Sequence, residues 1–363
     1  MLDADLAPSR STTAARATRP RLTWAVPLRG STRLSVALCA LALVGAACGS
    51  PGAPHAATTT STSQATSTSQ TTSTPTTEQA SGALRFGAPK TLTNGTALAA
   101  VSCGSPSACI AADAAGGTYA FDGSSWGASQ SPAGSTMGPG TVSVSCASAT
   151  FCVAAPTGGD QTVTWNGQGW SAPTTLAGAA GIEGIGCAPS GYCAAVDGEG
   201  NAFSYNGGWT GTSGDWGAVS AISCVSSSFC VSSSGGLSMW NGSSWTTPQT
   251  YGVPTSFTGV SCPTTTFCTA VDELGQALQW NGQAWSAPAA VDPLGAPLTG
   301  VSCPTTTFCV AVDKHGGINQ WHSGTWTRSD AGSGVAFTGV SCPTATFCVA
   351  VDHSGRVVLG RPA

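Results

Sequence analysis

One segment recurs seven times in this chain of 363 residues, and each copy contains two cysteines with five residues between them. The clearest copies are residues 300–313 and 339–352, which share the pattern Gly-Val-Ser-Cys-Pro-Thr-x-Thr-Phe-Cys-Val-Ala-Val-Asp. The first cysteines of successive copies are 43, 41, 37, 38, 41 and 39 residues apart. Units of about 40 residues cannot bury their own apolar faces, so each copy must stack on its neighbours. The seven pairs are Cys103/Cys109, Cys146/Cys152, Cys187/Cys193, Cys224/Cys230, Cys262/Cys268, Cys303/Cys309 and Cys342/Cys348.

Each repeat contains four short runs of alternating or β-branched residues, separated by turn signals. Asn-Gly pairs, as at 166–167, supply the positive φ of a tight hairpin, and Asp-x-x-Gly segments, as at 313–316, suit a turn closed by an Asx bond and a left-handed glycine. This pattern predicts a four-stranded antiparallel meander. Seven such sheets around an axis form an all-β, seven-bladed β-propeller.

The two ends of the repeat region indicate how the ring closes. The seventh repeat stops at residues 356–363 without a fourth strand, whereas residues 85–92 align with the fourth strand of another repeat, with Phe86 at a tryptophan position. An open array would leave a sheet edge unpaired. We therefore predict that the N-terminal strand completes the last blade, beside residues 356–359.

The cysteine pairs are best explained as one disulfide per blade. Each pair flanks the first hairpin of its sheet, where residues that face each other across antiparallel strands are close enough to bond. Free core thiols and a metal site are the alternatives, but zinc sites combine two closely spaced pairs, and here each pair lies on a separate blade. We expect seven disulfides, formed in an oxidising compartment, and no metal site.

The region before the repeats predicts export. Residues 34–47 form an uncharged apolar run of 14, which has the length of a signal-peptide core and is shorter than the about 20 residues of a membrane span. Residues 43–48, Leu-Val-Gly-Ala-Ala-Cys, resemble the lipobox of bacterial lipoproteins, although Gly45 replaces the usual Leu or Val. That resemblance implies a signal peptide over 1–47 and a lipid anchor on Cys48. Cleavage at an Ala-x-Ala-like site without lipidation is the alternative.

Residues 48–82 are dominated by Thr, Ser, Gln, Ala and Pro. Such a composition cannot bury enough apolar surface to fold, so we predict a disordered tether that precedes a propeller over 83–363. From residue 48 onward the chain has 14 acids and 6 bases, a net charge of −8, and no basic residue lies between Lys90 and Lys314. Nucleic acid requires clustered basic side chains, so we exclude it as a partner.

Aromatic residues also recur at fixed positions of the repeat. The tryptophan pairs resemble carbohydrate-stacking residues, but recurrence at equivalent sites favours packing of blade on blade. The aromatic residue before each second cysteine belongs to the core by the same argument. The tryptophan pairs are Trp165/Trp170, Trp240/Trp245, Trp280/Trp285 and Trp321/Trp326, and the residues before the cysteines are Phe151, Tyr192, Phe229, Phe267, Phe308 and Phe347.

Candidate ligand-binding residues follow from the Asp-x-x-Gly turns. These turns join the second and third strands, on the face of a propeller where ligands commonly enter near the central channel. A carboxylate-rich rim could bind a cation or an amine-bearing ligand; alternatively, the aspartates only cap their turns. The non-repeating neighbours on the last two blades are the stronger candidates. The predicted site comprises Asp313, Lys314, His315, Asp352, His353 and Arg356, within a rim that also includes Asp113, Asp160, Asp197, Glu199, Asp272 and Glu273.

The repeat region resembles secreted bacterial β-propeller repeat proteins of the broad type that includes the sialidase-like Asp-box propellers. The Asp-box, Ser-x-Asp-x-Gly-x-x-Trp, is not matched: Gly167 and Trp170 fit its end, but Val163 and Trp165 occupy its Ser and Asp positions. The arginine trio of sialidases is also missing, since the first six blades contain no Arg before Arg328. The resemblance therefore implies the ring and argues against sialidase activity.

No catalytic motif is present: the sequence lacks a Gly-x-Ser-x-Gly elbow, a His-Glu-x-x-His motif and a phosphate loop. We therefore predict no catalytic residues, no cofactor, and a monomeric binding or scaffolding propeller at the outer face of a cell membrane, or secreted, that recognises a surface glycan or a protein. The alternative is a lyase or hydrolase that acts on polysaccharide at the channel mouth.

Overall fold

The computed structural model describes residues 82–131, 142–212, 219–233, 235–253, 256–332 and 334–363. The predicted signal peptide, Cys48 and all but the last residue of the predicted tether lie outside these ranges. The described residues form 27 β-strands and no helix, so none of them forms a helix that could cross a membrane. The strands belong to seven antiparallel sheets, which are the seven predicted blades of a β-propeller.

We number the blades I to VII in chain order. Blades I to III contain β3 Leu98–Ser105, β4 Ala108–Asp113, β5 Thr118–Phe121, β6 Val142–Ser148, β7 Phe151–Pro156, β8 Gln161–Trp165, β9 Thr174–Thr175, β10 Ile182–Cys187, β11 Cys193–Asp197, β12 Ala202–Tyr205 and β13 Trp209–Thr212. Blades IV and V contain β14 Ala221–Ser226, β15 Phe229–Ser233, β16 Leu237–Trp240, β17 Phe257–Thr264, β18 Phe267–Asp272, β19 Gln276–Trp280 and β20 Ala289–Ala290. Blades VI and VII contain β21 Leu298–Thr305, β22 Phe308–Asp313, β23 Gly317–His322, β24 Thr325–Asp330, β25 Phe337–Thr344, β26 Phe347–Asp352 and β27 Arg356–Pro362, together with β1 Leu84–Phe86 and β2 Lys90–Thr91.

The fourth strand varies most among the blades. Five sheets have strands at all four positions, counting β1 and β2 together as the fourth position of blade VII. In blades I and IV the fourth segment is held by isolated bridges, such as Phe121 with Trp126 and Trp240 with Trp245. These short outer segments begin at the tryptophan that follows each tight turn, so the aromatic pair fixes the hairpin where few ladder hydrogen bonds form.

The N-terminal strands pair with the C-terminal strand, as the sequence predicts. In β1, Leu84 lies opposite Pro362, and in β2, Thr91 lies opposite Arg356. The backbone of Leu84 also exchanges two hydrogen bonds with the side-chain amide of Gln320 in blade VI, at 2.8 and 3.0 Å. The closing strand is thus bound to two blades, and the outer edge of blade VII is covered.

The first strand of each blade lies at the centre of the ring and would be an open sheet edge. The serine of the repeated Val-Ser-Cys segment supplies a hydrogen-bond acceptor for a backbone N–H at this edge. At six of the seven junctions the serine hydroxyl accepts a hydrogen bond from the backbone N–H of the first cysteine in the next blade, at 2.9 to 3.0 Å. At junction III/IV, Gly186 replaces the serine, and an added Cβ there would lie 2.8 Å from the carbonyl oxygen of Ile222. A serine side chain would therefore not fit at this junction without a shift of the backbone.

All seven cysteine pairs form disulfides within their own blades, as predicted. Each disulfide joins the first two strands of a sheet, with Cα atoms 3.9 to 4.1 Å apart. A loop this short gives a chain-entropy stabilisation of about 2 kcal/mol per disulfide. Seven disulfides in one chain indicate an oxidising compartment. The bonded pairs are Cys103–Cys109, Cys146–Cys152, Cys187–Cys193, Cys224–Cys230, Cys262–Cys268, Cys303–Cys309 and Cys342–Cys348.

The second cysteine of each pair is buried, and in five blades it is enclosed by the core. In blades III to VII this residue is 0% exposed, and it packs among the apolar and aromatic side chains between two blades. A ligand or a metal ion therefore cannot reach these sulfur atoms, and their part in the protein is structural. The five fully buried residues are Cys193, Cys230, Cys268, Cys309 and Cys348.

Aromatic packing between blades also agrees with the prediction. The ring that precedes the second cysteine of one blade contacts the aromatic residue at the end of the third strand in the next blade, as with Phe151 and Tyr205 at 5.6 Å and Phe267 and Trp321 at 5.3 Å between centroids. The tryptophan pairs are cross-strand pairs within a blade, as with Trp165 and Trp170 at 5.4 Å. At junction VI/VII the third strand has Gly360 instead, and Phe86 covers it: an added Cβ would lie 2.7 Å from the Phe86 ring.

Candidate functional site

The Asp-x-x-Gly turns lie between the second and third strands, and their aspartates are structural. Each carboxylate accepts backbone N–H bonds through Oδ1 from the residues two and four positions later, as Asp313 does from His315 at 2.7 Å and Gly317 at 2.8 Å. All five side chains are at most 5% exposed. The turn-capping alternative therefore accounts for these residues, which are Asp113, Asp197, Asp272, Asp313 and Asp352.

The second carboxylate oxygen distinguishes the five turns. Oδ2 of Asp113 accepts from the Tyr119 hydroxyl at 3.0 Å, and Oδ2 of Asp352 accepts from Nε of Arg356 at 2.6 Å. Oδ2 of Asp197 accepts from the backbone N–H of Ala180 and from the Asn201 amide. Oδ2 of Asp272 is buried and has no hydrogen-bond partner. Blade V thus contains the one turn of the five whose carboxylate is only half satisfied.

The pKa values of two turn aspartates shift in opposite directions. Burial raises the pKa of Asp197, but hydrogen bonds from Ala180, Asn201 and Glu199 outweigh it, so the net pKa lies below the ordinary value. Burial raises the pKa of Asp272, with only two backbone N–H bonds to oppose it and the charge of neighbouring Glu273 adding to the rise. The difference follows from the partners of Oδ2.

A buried ion-pair cluster joins blades V and VI. Nη1 of Arg328 lies 2.9 Å from Oδ2 of Asp292 and 2.5 Å from Oδ2 of Asp313, and both carboxylates are fully buried. Nη2 contacts the exposed Asp330 at 2.7 Å. Burial lowers the pKa of the Arg328 guanidinium, but the bond to Asp313 and the charges of all three carboxylates raise it overall, so the cation is held in place. The cluster is a structural tie between blades.

The predicted site residues separate into two groups. Arg356 is bound to Asp352 and donates through Nη2 to the carbonyl oxygen of Gly334 at 2.6 Å. His315 is exposed on its turn and does not line the channel cavity. By contrast, Lys314 and His353 line the same cavity at the mouth of the central channel. Of the six predicted residues, therefore, only these two line the cavity.

Lys314 and His353 occupy the same place in successive blades. Each directly follows the turn aspartate, and its backbone N–H bonds to the residue just before the innermost strand: Lys314 to Pro297 at 3.2 Å and His353 to Ala336 at 3.0 Å. Ala114 makes the same bond to Ala97 in blade I. This bond holds the first side chain after the aspartate over the end of the innermost strand, which is where the channel opens.

The cavity has a volume of about 810 Å³, within the range of small-ligand sites. Its walls are mostly apolar, and three threonines at the second position of β17, β21 and β25 add hydroxyl groups. Each hydroxyl donates to a backbone carbonyl, as Thr338 does to Leu98 in the next blade at 2.6 Å, so its oxygen remains available as an acceptor. The other lining residues are Ala97, Leu98, Ala99, Ala114, Thr258, Leu298, Thr299, Ala336 and Phe337.

The exposed polar side chains that line this cavity are an ammonium group and an imidazole. Lys314 and His353 are exposed, whereas the neighbouring turn aspartates are buried and capped. Within the described ranges, no group of three or more His, Cys, Asp or Glu residues is arranged to hold a metal ion. The arrangement can attract an anion to an apolar-walled opening. The sequence identified Lys314 and His353 as candidates, but the apolar wall was not predicted, because alanine and threonine at the strand ends resemble ordinary sheet residues.

Neither a known family model nor a curated protein matches this sequence. Solved structures match the fold. Virginiamycin B lyase from Staphylococcus aureus, solved as a catalytically inactive variant with quinupristin, has 9% identity and a TM-score of 0.65, and the match covers 77% of this chain and 100% of the lyase. The RRP9 WD40 repeats have 13% identity and a TM-score of 0.64 over 78% of this chain and 98% of theirs. YCF48 bound to D1 peptide has 11% identity and a TM-score of 0.61 over 77% of this chain and 97% of its own. At these identities the likeness establishes a β-propeller and no more.

Proposed function

We propose that the protein is a non-catalytic binding propeller that recognises a glycan or a protein partner through the mouth of its central channel. The observation that carries the proposal is the pairing of an exposed ammonium group, Lys314, with an exposed imidazole, His353, above an apolar-walled cavity of about 810 Å³. The acidic residues that could do acid–base work beside them are buried as turn caps. The ligand should therefore present a carboxylate or another anionic group.

The proposal includes display at a cell surface. The lipobox-like segment ending at Cys48 and the Ser/Thr-rich residues that follow it support an anchored propeller, and the seven disulfides fit an oxidising exterior. Mass spectrometry of the mature protein tests the anchor: we expect a lipid-modified Cys48 at the new N-terminus. An unmodified Cys48 on protein released to the medium would remove this part of the proposal.

The alternative function is a lyase or hydrolase that acts on polysaccharide at the same mouth. Its support is a propeller of this shape that is a lyase, together with an imidazole, His353, in the cavity. Fold alone does not determine activity, and one histidine without an available carboxylate does not complete an acid–base pair.

A binding screen distinguishes the two functions. Glycan arrays and cell-wall fractions should retain the wild-type propeller, and Lys314→Gln and His353→Gln should each weaken retention severalfold. The effect of Lys314→Gln should be larger at low salt, because ions screen an exposed charge at high salt. His315→Gln is the matched control, since it removes an exposed side chain next to Lys314 that does not line the cavity. Turnover of a retained polysaccharide that His353→Ala abolishes would establish the enzyme instead. Equal retention of all four proteins would place the ligand elsewhere.

A further inference from the structure

The aromatic packing between blades has one gap. Six blades carry Phe or Tyr directly before the second cysteine, and blade I carries Ala108. At the other junctions this ring lies in a cluster with the aromatic residues of the next blade. At junction I/II the cluster contains Trp165 and Trp170 of blade II and no aromatic residue of blade I. One ring is therefore missing from a sevenfold pattern.

A pocket of about 370 Å³ occupies the place of the missing ring. Ala108 and Cys109 line one side, Cys152 and Trp165 the other, and Phe121 lies at the end. An apolar cavity of roughly 150 Å³ is large enough to bind benzene. The turns that rim the pocket lie at the opposite ends of the strands from the Asp-x-x-Gly turns, so this pocket and the channel-mouth cavity open on opposite faces of the ring.

The rim of the pocket is polar and carries one charge. Ser107, Asp122 and Thr150 are exposed at the opening. The Asp122 carboxylate accepts hydrogen bonds from the backbone and hydroxyl groups of Ser124 and Ser125 at 2.7 to 3.1 Å. These bonds, led by that from the Ser125 N–H, keep the pKa of Asp122 well below its ordinary range. The carboxylate is thus a fixed anion beside an apolar opening.

We infer that this pocket is a binding site for a small arylalkylammonium ligand, whose aromatic ring enters beside Trp165 and whose ammonium group lies at Asp122. The packing at the neighbouring junction indicates that the ligand has an aromatic ring. There Phe151 packs on Tyr205, whereas the equivalent place at junction I/II is a pocket open to solvent. Aromatic pairs with offset or tilted rings gain about 0.5–1.5 kcal/mol beyond burial, which favours a planar ring over an alkyl chain.

Calorimetric titration with 2-phenylethylamine tests the inference on the intact protein. We expect binding to the wild type, weaker binding of 2-cyclohexylethylamine, and no measurable binding of 3-phenylpropionate. Ala108→Phe supplies the missing ring from the chain itself and should weaken binding at least tenfold while raising the melting temperature. Asp122→Asn should weaken it about threefold, the size of an exposed charge pair. Asp330→Asn, which removes an exposed acid outside the pocket and outside the predicted rim, is the matched control.

Two results would overturn the inference: no binding of 2-phenylethylamine at millimolar concentration, or binding that Ala108→Phe leaves unchanged. If Ala108→Phe does not fold, Ala108→Leu fills part of the same volume and decides the question by the same titration. Binding of 3-phenylpropionate as tight as that of the amine would overturn the role of Asp122. Binding here does not depend on Lys314 or His353, so failure of either proposal leaves the other intact.

Discussion

The backbone N–H of Cys103 in blade I donates to the hydroxyl oxygen of Ser341 in blade VII at 3.0 Å. These residues are 238 positions apart in sequence, and their contact joins the last blade to the first. The same bond repeats at five further junctions and satisfies a backbone N–H at the open edge of each innermost strand. The repeated serine therefore stabilises the neighbouring blade, because its hydroxyl oxygen accepts a hydrogen bond from the innermost strand of that blade.

The first prediction concerns this inter-blade bond. Ser302→Ala removes the acceptor for the Cys342 N–H, which lies 2.9 Å away. We expect the free energy of unfolding in urea to fall by about 1–2 kcal/mol, because a partly buried donor loses its partner. Ser354→Ala, at an exposed turn position, is the control and should change it by less than about 0.5 kcal/mol. Equal effects of the two substitutions would contradict the role given to the serine.

The second prediction concerns Arg328. Arg328→Met leaves the buried carboxylates of Asp292 and Asp313 without their cation, and breaking such a pair typically costs about 3–5 kcal/mol. Chemical denaturation should report a loss of this size. Asp330→Asn removes only the exposed partner, whose side chain is 65% accessible, and should be close to neutral. Adding Asp292→Asn to Arg328→Met should recover part of the loss; no recovery would show that packing, not charge, dominates.

The third prediction uses the opposite pKa shifts of Asp197 and Asp272. The lowered pKa of Asp197 stabilises the fold above its unfolded-state pKa, and this contribution is lost as the pH falls through the folded value. The raised pKa of Asp272 has the reverse effect: its contribution is present in acid and is lost as the pH rises through the folded value. Asp197→Asn should therefore destabilise the protein at pH 7 by about 1–3 kcal/mol, and Asp272→Asn should be neutral or stabilising there.

Unfolding midpoints of both variants between pH 3 and pH 7 check this third prediction. As the pH falls, the loss of stability caused by Asp197→Asn should become smaller. The gain of stability caused by Asp272→Asn should also become smaller, so the two variants converge on the wild type from opposite sides. In both cases Asn keeps the Oδ1 acceptor of the turn, so the difference between the variants isolates Oδ2. Parallel pH profiles for the two variants would contradict the assignment of Oδ2 as the cause.

The fourth prediction concerns closure of the ring. Phe86→Ala uncovers Gly360 and removes a half-buried ring, so we expect a loss of about 2 kcal/mol in thermal or urea unfolding. Lys90→Ala, an exposed position on the same closing segment, should be close to neutral. Deleting residues 83–92 should destabilise the protein far more than Phe86→Ala, since the edge of blade VII becomes bare. A deletion variant that melts like the intact protein would refute the closure.

The features that could be predicted from the sequence are those that recur in the repeat. The number of blades, the disulfide pairs, the blade-on-blade aromatics and the capping of turns by aspartate all depend on patterns that occur many times in the chain. Phe86 was also predictable, because it aligned with a tryptophan position while the last repeat lacked its own fourth strand.

Features that depend on single departures from the repeat, or on hydrogen bonds between blades, were not predicted. Asp292 lies outside the aligned turns, and its contact with Arg328 requires the register of β24 against β23. The role of the repeated serine depends on a partner about 40 residues away in the next blade. The sequence shows that Ala108 replaces the aromatic residue of the other six repeats. The structure was needed to show that this replacement leaves a pocket between two blades.

Closure within blade VII has a mechanical consequence. Leu84 lies opposite Pro362 in antiparallel strands, so the start of β1 and the end of β27 lie side by side at the same end of this sheet. A pulling force applied through the chain ahead of Leu84 is first borne by β1, through its backbone pairing with β27 and its two bonds to Gln320. The strand pairing that closes the ring therefore also resists tension on the chain. Mechanical unfolding should begin at this pairing, while the disulfides keep each remaining hairpin intact.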